Sequence, residues 1–330
     1  MTPETGIDRL HQLVRDDLER VDALLLDVAK NDVTLIPEIS KHLIVSGGKR
    51  LRPMLTLASA RVCGYQRGMH HVTLAAAVEC MHTATLLHDD VVDGSSLRRG
   101  QPSANALWDN KSSVLVGDYL IAQAFRLMVR AESLPVLDIL SDAAATIAEG
   151  EVLQLATMHQ LDAGKDAYFR VIAAKTAKLF AAACEVGAEL SDQRAHRTAL
   201  RTYGHALGMA FQLTDDALDY GIGTSEKRLG KAIGDDFRDA KVTLPVILAY
   251  AAADASERRF WERAFTPGQQ QKEDWQQARQ ILARHQALEQ TRAEAGRFLQ
   301  EAAAALNNLP ESQEKSALLE VLEFCAARTY

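Results

Sequence analysis

The chain has 330 residues, of which 47% are hydrophobic and 25% charged, and its formal net charge is -7. This composition is typical of a globular protein with a sizeable core. The acidic balance argues against a broad binding surface for nucleic acid or anionic lipid. A polyanionic ligand must therefore be met by a local group of basic residues or by bound cations.

The cysteine usage and the lack of a long apolar segment favour a cytoplasmic protein. The four cysteines are scattered and form no CxxC pair, which is the usage of a reducing compartment. No signal peptide is visible at the start of the sequence, and no uncharged apolar run approaches the roughly 18 to 20 residues that span a bilayer. We therefore predict a cytoplasmic location and no transmembrane segment.

Helical patterning dominates the chain from its beginning. Apolar residues recur at helical spacing over 10–28, and a glycine-containing loop follows at 46–52. Pro53 predicts a helix start, because proline is favoured in the first turn, whereas His70 and His71 are expected on a surface loop. The remaining predicted helices cover 72–92, 112–131, 134–159, 166–190, 195–220, 244–252 and, with breaks near 266–268 and 307–310, most of 256–330.

Strand signals are missing from this pattern. We find no regular period-two alternation bounded by hairpin turns, and no low-complexity linker that would separate two domains. The sequence therefore predicts an all-α fold in a single domain spanning residues 1–330.

Two acidic motifs of the form DDxxD stand out. In a helix, residues four apart lie on one face, so Asp89 and Asp93 point the same way, as do Asp215 and Asp219. Like charges at this spacing destabilise a helix slightly, which predicts a partner cation. The acidic residues of the two clusters are Asp89, Asp90, Asp93, Asp215, Asp216 and Asp219.

Carboxylate oxygens without histidine or cysteine suit Mg²⁺, which keeps waters and shares oxygens with substrate phosphates. The alternative for either cluster alone is a solvated acidic helix face. Both clusters, however, follow apolar segments and lie near basic residues. This repetition favours a magnesium site.

Basic residues are grouped around the acidic motifs. Lys49 and Arg52 flank the loop that leads into a helix start, where free backbone N–H groups attract anions. This loop is not a Walker A motif, because Arg50 stands where serine or threonine is required. The alternative to phosphate binding is that these cations form salt bridges at the surface. We favour this alternative for Arg50 and for Lys178, each considered singly. For His82, a hydrogen-bonded core histidine competes with a phosphate donor.

At this point the sequence resembles the trans-type isoprenyl diphosphate synthases, or polyprenyl synthetases. Within the family it is most similar to long-chain bacterial enzymes that make quinone side chains. The matching segments occur in family order and span about residues 40 to 250: Gly47–Pro53, His82–Asp93 with Arg98 and Arg99, Lys175 with Thr176, Phe211–Tyr220, and Gly230–Pro245.

The resemblance implies a helical barrel around a deep central cavity, with the two clusters facing each other across its mouth. It implies that Asp89, Asp93 and Asp215 bind Mg²⁺ directly, while Asp90, Asp216 and Asp219 bind it or hold its water. It further implies a homodimer that extends farnesyl diphosphate with isopentenyl diphosphate to a product of the octaprenyl class. No nucleic acid partner is implied.

The resemblance also assigns the basic residues. The catalytic set is Asp89, Asp93, Asp215, Lys175 and Lys231. The diphosphate of isopentenyl diphosphate is expected at Gly48, Lys49, Arg52, His82 and Arg99. The allylic diphosphate is expected at Arg98, Lys175, Thr176, Gln212, Lys231 and Lys241. One departure is that Ala240 precedes Lys241 where the family usually has glycine, which restricts that loop.

Product length can be argued from the residues before the first cluster. Ala84 and Thr85 lie about one helical turn before Asp89, and a turn rises about 5.4 Å, near the length of one isoprene unit. Small side chains there leave a tunnel open, which predicts a long product with Met128 and Leu140 as floor residues. The alternative is that Ala84 and Thr85 are small only because two helices pack closely there.

Three other functions stay open at this stage. A short-chain synthase of the same family has the same motifs. A terpene cyclase also uses aspartate clusters, but it does not need the second diphosphate site that Lys49, Arg52 and Arg99 would form. A non-catalytic subunit of a heteromeric synthase can dispense with the aspartates, whereas both clusters are complete here.

Overall fold

The computed structural model describes residues 6–45, 48–66, 68–98, 100–191, 194–221 and 233–327. Within these residues the protein is all-α apart from one short hairpin. The helices are α1 Gly6–Val28, α2 Leu35–Val45, α3 Leu51–Val62, α4 His70–Val92, α5 Ala104–Leu107, α6 Asn110–Arg130, α7 Leu134–Thr157, α8 Gly164–Ile172, α9 Lys178–Glu189, α10 Arg197–Asp219, α11 Asp235–Arg238, α12 Leu244–Ala252, α13 Ala255–Ala264, α14 Asp274–Arg284, α15 Ala287–Ala305 and α16 Gln313–Ala327.

Three further kinds of element lie between the helices, one of which is the 3₁₀ turn Arg194–His196 before α10. Strands β1 (Leu97–Arg98) and β2 (Gln101–Pro102) pair antiparallel just after α4. A π-helical turn, Ala173–Ala177, joins α8 to α9. The sequence predicts one uninterrupted helix over 166–190, whereas the structure widens it by this turn at the position of two site residues.

Two other local predictions are wrong. Helix α3 begins at Leu51, two residues before Pro53, because N–H groups of a first turn have no acceptor in the helix and proline is tolerated there. His70 and His71 are not on a surface loop, because both lie in the first turn of α4. His71 is 8% exposed, and its Nε2 is 3.1 Å from Asp17 Oδ2.

The contacts divide the chain into two compact units. Unit 1 comprises Met1–Ala144, Leu179–Gly204 and Ala305–Val321. In it, α4 packs against α1, α3 and α6, and the alanines at 75–77 have no exposed surface. Small residues on α4 allow this close packing of helices, which fixes the end of α4 where the first aspartate cluster lies.

Unit 2 comprises Ala145–Lys178, His205–Ala304 and Leu322–Tyr330. Its core is rich in aromatic residues. The ring centroids of Tyr220 and Trp275 are 5.7 Å apart in a stacked arrangement, and those of Phe237 and Phe265 are 5.9 Å apart edge to face. Tyr220 directly follows the second aspartate cluster, so this core holds the end of α10 in place. The single-domain interpretation of the sequence stays a prediction.

Helix α6 is the one described helix that is long and apolar enough, by length and composition, to cross a bilayer. Buried helices of proteins that cross no membrane pass the same test, and α6 packs against α4. The expectation that the chain has no transmembrane segment therefore stays a prediction.

The approach of α9 to α3 gives a testable prediction. A Cβ atom on Gly187 would lie 2.5 Å from Thr56 O and 2.8 Å from Ala60 N, which are both backbone atoms. Gly187→Ala should lower the free energy of unfolding in urea by about 1–3 kcal/mol, the usual cost of overpacking. The control is Gly296→Ala in α15, where a Cβ meets nothing within 4 Å.

The control should gain about 0.5–1 kcal/mol, because alanine is the better helix former. Equal effects of the two substitutions would contradict the close approach of α9 to α3.

Candidate functional site

The first aspartate cluster occupies the last turn of α4. Asp89 is half-buried, Asp90 has no exposed surface, and Asp93 is exposed at the helix end. The three carboxylates therefore have different environments although they are close in sequence. Of the three carboxylates, those of the first and the fifth motif residue are the accessible ones.

Asp90 is held by side chains that follow it in the chain. The Arg98 guanidinium on β1 donates to Asp90 Oδ1 through Nε at 2.7 Å and Nη2 at 2.6 Å. Asn105 Nδ2 donates to the main-chain oxygen of Asp90 at 3.1 Å. Asp90 Oδ2 is buried and accepts no hydrogen bond. A buried carboxylate oxygen normally has a donor or a cation beside it, so Oδ2 is a position where a ligand fits.

The backbone after the cluster forms a tight helix end. Gly94 has φ 62°, the N–H of Ser95 donates to Asp90 O at 2.9 Å, and the N–H of Gly94 donates to Val91 O at 3.3 Å. This is the Schellman arrangement, in which glycine takes the left-handed conformation. It turns the chain back so that β1 brings Arg98 over Asp90.

His88 supports the same end of α4 from the side. Its Nε2 is 3.2 Å from Val114 O on α6, and a Cβ atom on Gly117 would lie 2.3 Å from that nitrogen. The imidazole thus occupies the space left by the missing side chain of Gly117. His88 connects α4 to α6 immediately before Asp89.

Cationic residues just before α3 and in its first turn lie in the same unit. Lys49 is exposed, and Gly48 is half-buried. Arg52 Nη1 is 3.2 Å from His82 Nε2 on α4, and the Arg52 guanidinium carbon is 4.2 Å from the centre of the Phe180 ring. The structure therefore brings together Arg52 and His82, two residues that are 30 apart in sequence and that were assigned to one diphosphate.

In unit 2, the π-helical turn contains both residues of the Lys175–Thr176 motif. Lys175 Nζ lies 2.8 Å from Glu151 Oε2 on α7. A Cβ atom on Gly150 would be 2.8 Å from the Cβ of Ala174 and 3.0 Å from Lys175 N. Single π-turns inside helices are frequent at functional sites. Here the turn redirects Lys175 and Thr176 relative to an unbroken helix.

The second aspartate cluster ends α10. Asp215 is half-buried, whereas Asp216 and Asp219 are 2% and 9% exposed. Both oxygens of Asp216 accept hydrogen bonds: Gln212 Nε2 donates to Oδ1 at 2.8 Å, and Tyr168 donates its hydroxyl to Oδ2 at 2.5 Å. Gln212 is oriented in turn, because its Oε1 accepts from Thr176 at 2.9 Å.

The charge state of this network follows from its burial. Burial raises the pKa of Asp216 to about 6, although the positive charge of Lys241 opposes the shift. Burial also raises the pKa of Tyr168 well above its ordinary value, and the carboxylate of Asp216 adds to this effect. Tyr168 therefore stays protonated at neutral pH and remains a donor to Asp216.

Asp219 and Lys241 are connected through the short helix α11. Asp219 Oδ2 accepts from the N–H of Asp236 in the first turn of α11 at 3.0 Å. A carboxylate is stabilised at a helix N-terminus by unpaired N–H groups. Lys241 Nζ lies 3.4 Å from Asp236 Oδ1. Asp236 therefore contacts Asp219 through its backbone N–H and Lys241 through its carboxylate.

Ala240, which stands where the family usually has glycine, lies in the left-handed region of backbone conformation. Its φ is 50°, the N–H of Lys241 donates to Asp236 O at 2.8 Å, and the N–H of Ala240 donates to Phe237 O at 3.0 Å. This is a second Schellman arrangement, with alanine where Gly94 stands in the first. The backbone of Lys241 is thus placed as glycine would place it, at a conformational cost.

Two of the assigned site residues are not described by the structure, and most of the residues assigned to product length are buried. Arg99 and Lys231 lie outside the described residues. Ala84 and Leu140 have no exposed surface, Met128 is 1% exposed, and Thr85 is half-buried. The complete burial of Ala84 keeps close helix packing open as an alternative for that position.

Sequence reasoning did not find three polar residues of these networks. Tyr168 lies seven residues before Lys175, a spacing of about two helical turns, but its partner Asp216 is 48 residues away. Glu151 and Asp236 resemble ordinary surface acids in the sequence. Only their contacts with Lys175 and Lys241 distinguish them.

Comparisons with known proteins show what the whole chain is similar to. The family model described as "Polyprenyl synthetase" matches residues 33–282. An octaprenyl diphosphate synthase of Haemophilus influenzae is 38% identical over 326 residues, which are 98% of each chain. A decaprenyl diphosphate synthase of Rhodobacter capsulatus is 49% identical with a TM-score of 0.93, over 98% of this chain and 99% of that chain.

A polyprenyl synthase of Caulobacter crescentus, solved with calcium and isoprenyl diphosphate, is 46% identical with a TM-score of 0.94 over 100% of both chains.

The two Schellman ends allow a matched prediction. Ala240→Gly should raise the free energy of unfolding by roughly 0.5 kcal/mol, because relief of a left-handed conformation that costs about 1–2 kcal/mol exceeds the loss of a methyl group worth about 0.8 kcal/mol. Gly94→Ala, at the equivalent position where a Cβ meets nothing within 4 Å, should lower it by about 1–2 kcal/mol.

Urea denaturation of both variants measures the two effects. A gain of stability in Gly94→Ala, or a clear loss in Ala240→Gly, would show that positive φ is not what these positions require.

Proposed function

The chain belongs to the polyprenyl synthetase family and is a transferase, and we propose that it extends farnesyl diphosphate by repeated head-to-tail condensation with isopentenyl diphosphate. The proposed product is a long all-trans polyprenyl diphosphate of the octaprenyl class, used for quinone side chains. The observation that carries this proposal is the anchoring of the middle aspartate in each DDxxD motif by donors from its own unit. Such anchoring fixes the backbone beside the first aspartate of each motif, which directly precedes the anchored residue.

The oxygen donors of both clusters fit a hard divalent cation. Asp90 Oδ2 is buried without a hydrogen bond, and the accessible donors of each cluster are carboxylates, which Mg²⁺ and Ca²⁺ prefer. Among the described residues, no three acidic, histidine or cysteine side chains can enclose an ion by themselves. Mg²⁺ often takes one or two carboxylates and completes its shell with water and substrate phosphates.

We assign Mg²⁺ as the cofactor. Asp89, Asp93 and Asp215 are the direct ligands in this assignment, while Asp90, Asp216 and Asp219 bind it or hold its water. The related Caulobacter crescentus enzyme was solved with calcium, which also prefers oxygen ligands. Calcium in a relative of the same family supports the use of a divalent cation by this chain.

The basic residues divide between two diphosphates in this proposal. Guanidinium groups bind diphosphate oxygens through paired hydrogen bonds, and lysines supply point charges. Isopentenyl diphosphate is held by Gly48, Lys49, Arg52, His82 and Arg99. The allylic diphosphate is held by Arg98, Lys175, Thr176, Gln212, Lys231 and Lys241. Arg98 also holds Asp90, and Thr176 orients Gln212, so these two residues combine positioning with binding.

The reaction follows from the charges. Bound Mg²⁺ supplies positive charge that neutralises the leaving diphosphate. Lys175, Lys231 and Lys241 stabilise the negative charge that grows on the same oxygens as the C–O bond ionises. The double bond of isopentenyl diphosphate attacks the allylic carbon, and the departing diphosphate accepts the proton that is lost. Phe211 lies one helical turn before Asp215, and we expect apolar side chains of this kind to shield the cation from water.

The rival functions make different demands. A terpene cyclase does not require a second diphosphate site such as the one assigned to Lys49, Arg52 and His82, and a non-catalytic subunit does not require two anchored aspartate clusters. A short-chain synthase shares the whole site and differs only in product length. Relatives named as octaprenyl and decaprenyl synthases favour the long product.

A homodimer in the cytoplasm completes the proposal. Leu115 and Val129 on α6 are 66% and 63% exposed, and Leu134 at the start of α7 is 80% exposed. Leu115, Ala122 and Val129 are seven residues apart and so share one face of α6. Exposed apolar patches commonly mark interfaces between proteins.

Sedimentation velocity of the purified chain measures the state of association, and a monomer at micromolar concentration would exclude the dimer.

Incubation of the pure protein with Mg²⁺, isopentenyl diphosphate and allylic diphosphates of several lengths tests the function. Turnover should require both substrates and should stop when EDTA removes the metal. Chromatography of the hydrolysed products should show a long all-trans chain. Turnover of an allylic diphosphate without isopentenyl diphosphate would identify a cyclase, and no activity of the chain alone would favour a heteromeric subunit.

The tunnel hypothesis has its own variant. Ala84→Phe should shorten the main product to a few isoprene units, because an aromatic ring one turn before Asp89 closes the path of the growing chain. The melting temperature serves as the control. Close helix packing at Ala84 would instead give a large loss of melting temperature with an unchanged product, which would contradict the tunnel assignment.

A further inference from the structure

Arg50 differs from the cations on either side of it. Its side chain is only 11% exposed, and each nitrogen of its guanidinium group donates to a different element. Nε donates to Asp22 Oδ1 on α1 at 3.1 Å, Nη1 to Glu79 Oε1 on α4 at 2.6 Å, and Nη2 to Ile44 O near the end of α2 at 2.8 Å. The sequence favoured a surface salt bridge at this position; the structure shows a largely shielded side chain that joins three helices.

The backbone of Arg50 is also distinctive. Its φ is 49° and its ψ 33°, so it lies in the left-handed region immediately before α3. Its carbonyl accepts from the N–H of Met54 at 3.0 Å, which begins the helix. A residue with a Cβ adopts this conformation only where its surroundings stabilise it. The three side-chain hydrogen bonds provide that stabilisation.

Two side-chain pairs tie the loop to α4 in register. Arg50 pairs with Glu79, and Arg52 lies 3.2 Å from His82. Glu79 and His82 are three residues apart and so share one face of α4, while Arg50 and Arg52 are two apart in the loop and the first helical turn. Fixing the first pair therefore fixes the distance of the second. Glu79 is itself 5% exposed, so the Arg50–Glu79 pair is shielded from solvent.

We propose that Arg50 is a positioning residue for the isopentenyl diphosphate site, because its pair with Glu79 holds the loop in the register that sets Arg52 beside His82 and presents Lys49. This inference rests on the proposed function, since it concerns the diphosphate assigned to Lys49, Arg52 and His82. Arg50 contacts no substrate in this account. It acts through the position of its neighbours on both sides.

Arg50→Lys is the principal test. Lysine keeps the charge but cannot donate from three fixed directions to Asp22, Glu79 and Ile44. The KM for isopentenyl diphosphate should rise about 10- to 100-fold, as expected when binding groups are misplaced. The KM for the allylic diphosphate should stay within about twofold of wild type, because the residues assigned to it lie elsewhere in the sequence. Glu79→Gln should shift the same constant in the same direction, and it decides the matter if Arg50→Lys does not fold.

Arg61→Lys is the matched control. Arg61 also pairs with a buried carboxylate in unit 1, since its Nη2 lies 2.6 Å from Asp17 Oδ2, and it also donates to the backbone oxygen of Leu13. It has no part in the assigned diphosphate site. Arg61→Lys should lower the melting temperature by an amount similar to Arg50→Lys, while both KM values stay unchanged.

The outcomes separate the inference from the function on which it rests. A wild-type KM for isopentenyl diphosphate in Arg50→Lys, or an equal rise in Arg61→Lys, would reduce Arg50 to a structural residue and overturn the inference while the function stands. Absence of turnover with isopentenyl diphosphate in the wild-type protein would overturn both.

Discussion

A carboxylate that is buried needs donors close by, and this constraint shapes both aspartate clusters. Asp90 accepts hydrogen bonds from Arg98, and Asp216 accepts them from Tyr168 and Gln212. In each motif the residue that is anchored directly follows the first aspartate, so its fixed position also orients Asp89 or Asp215. The anchoring donors come from hairpin β1–β2 in unit 1 and from α8 and α10 in unit 2. The two units therefore satisfy one requirement with different side chains.

Backbone geometry supports these anchors. Gly94 and Ala240 both have positive φ and both end a helix in the Schellman arrangement. The first returns the chain so that Arg98 can reach Asp90, and the second places Lys241 near Asp236. Arg50, also at positive φ, starts α3 with Arg52 in its first turn. Arg98, Lys241 and Arg52, which are assigned to the substrates, thus each lie within a few residues of a position with positive φ.

The predictability of these features depends on the range of the interactions. Helical periodicity predicted α4 and α6 to within two residues at each end, because amphipathic patterning is local. The spacing of the DDxxD motifs predicted a shared helix face for the same reason. The π-turn at Lys175 was not predicted, since local periodicity does not reveal that Gly150 on another helix lies against it. Tyr168 and Glu151 were missed because their partners are 48 and 24 residues away.

Arg50 illustrates a different limit. The sequence indicated that it forms salt bridges, and it does, but burial was not visible in a loop with exposed Lys49 beside it. His71 was likewise expected at the surface and is buried against Asp17. In both cases the charge partner lies on a helix distant in sequence. Local patterns predict where a charged residue stands but not which helix comes to cover it.

The most direct measurement is a crystal structure of the chain grown with Mg²⁺ and inorganic pyrophosphate. Metal ions are expected about 2.0–2.1 Å from carboxylate oxygens, at Asp89 and Asp93 and again at Asp215, with Tyr168 still donating to Asp216. Metal ions bound elsewhere, with these three carboxylates directed to bulk solvent, would contradict this expectation.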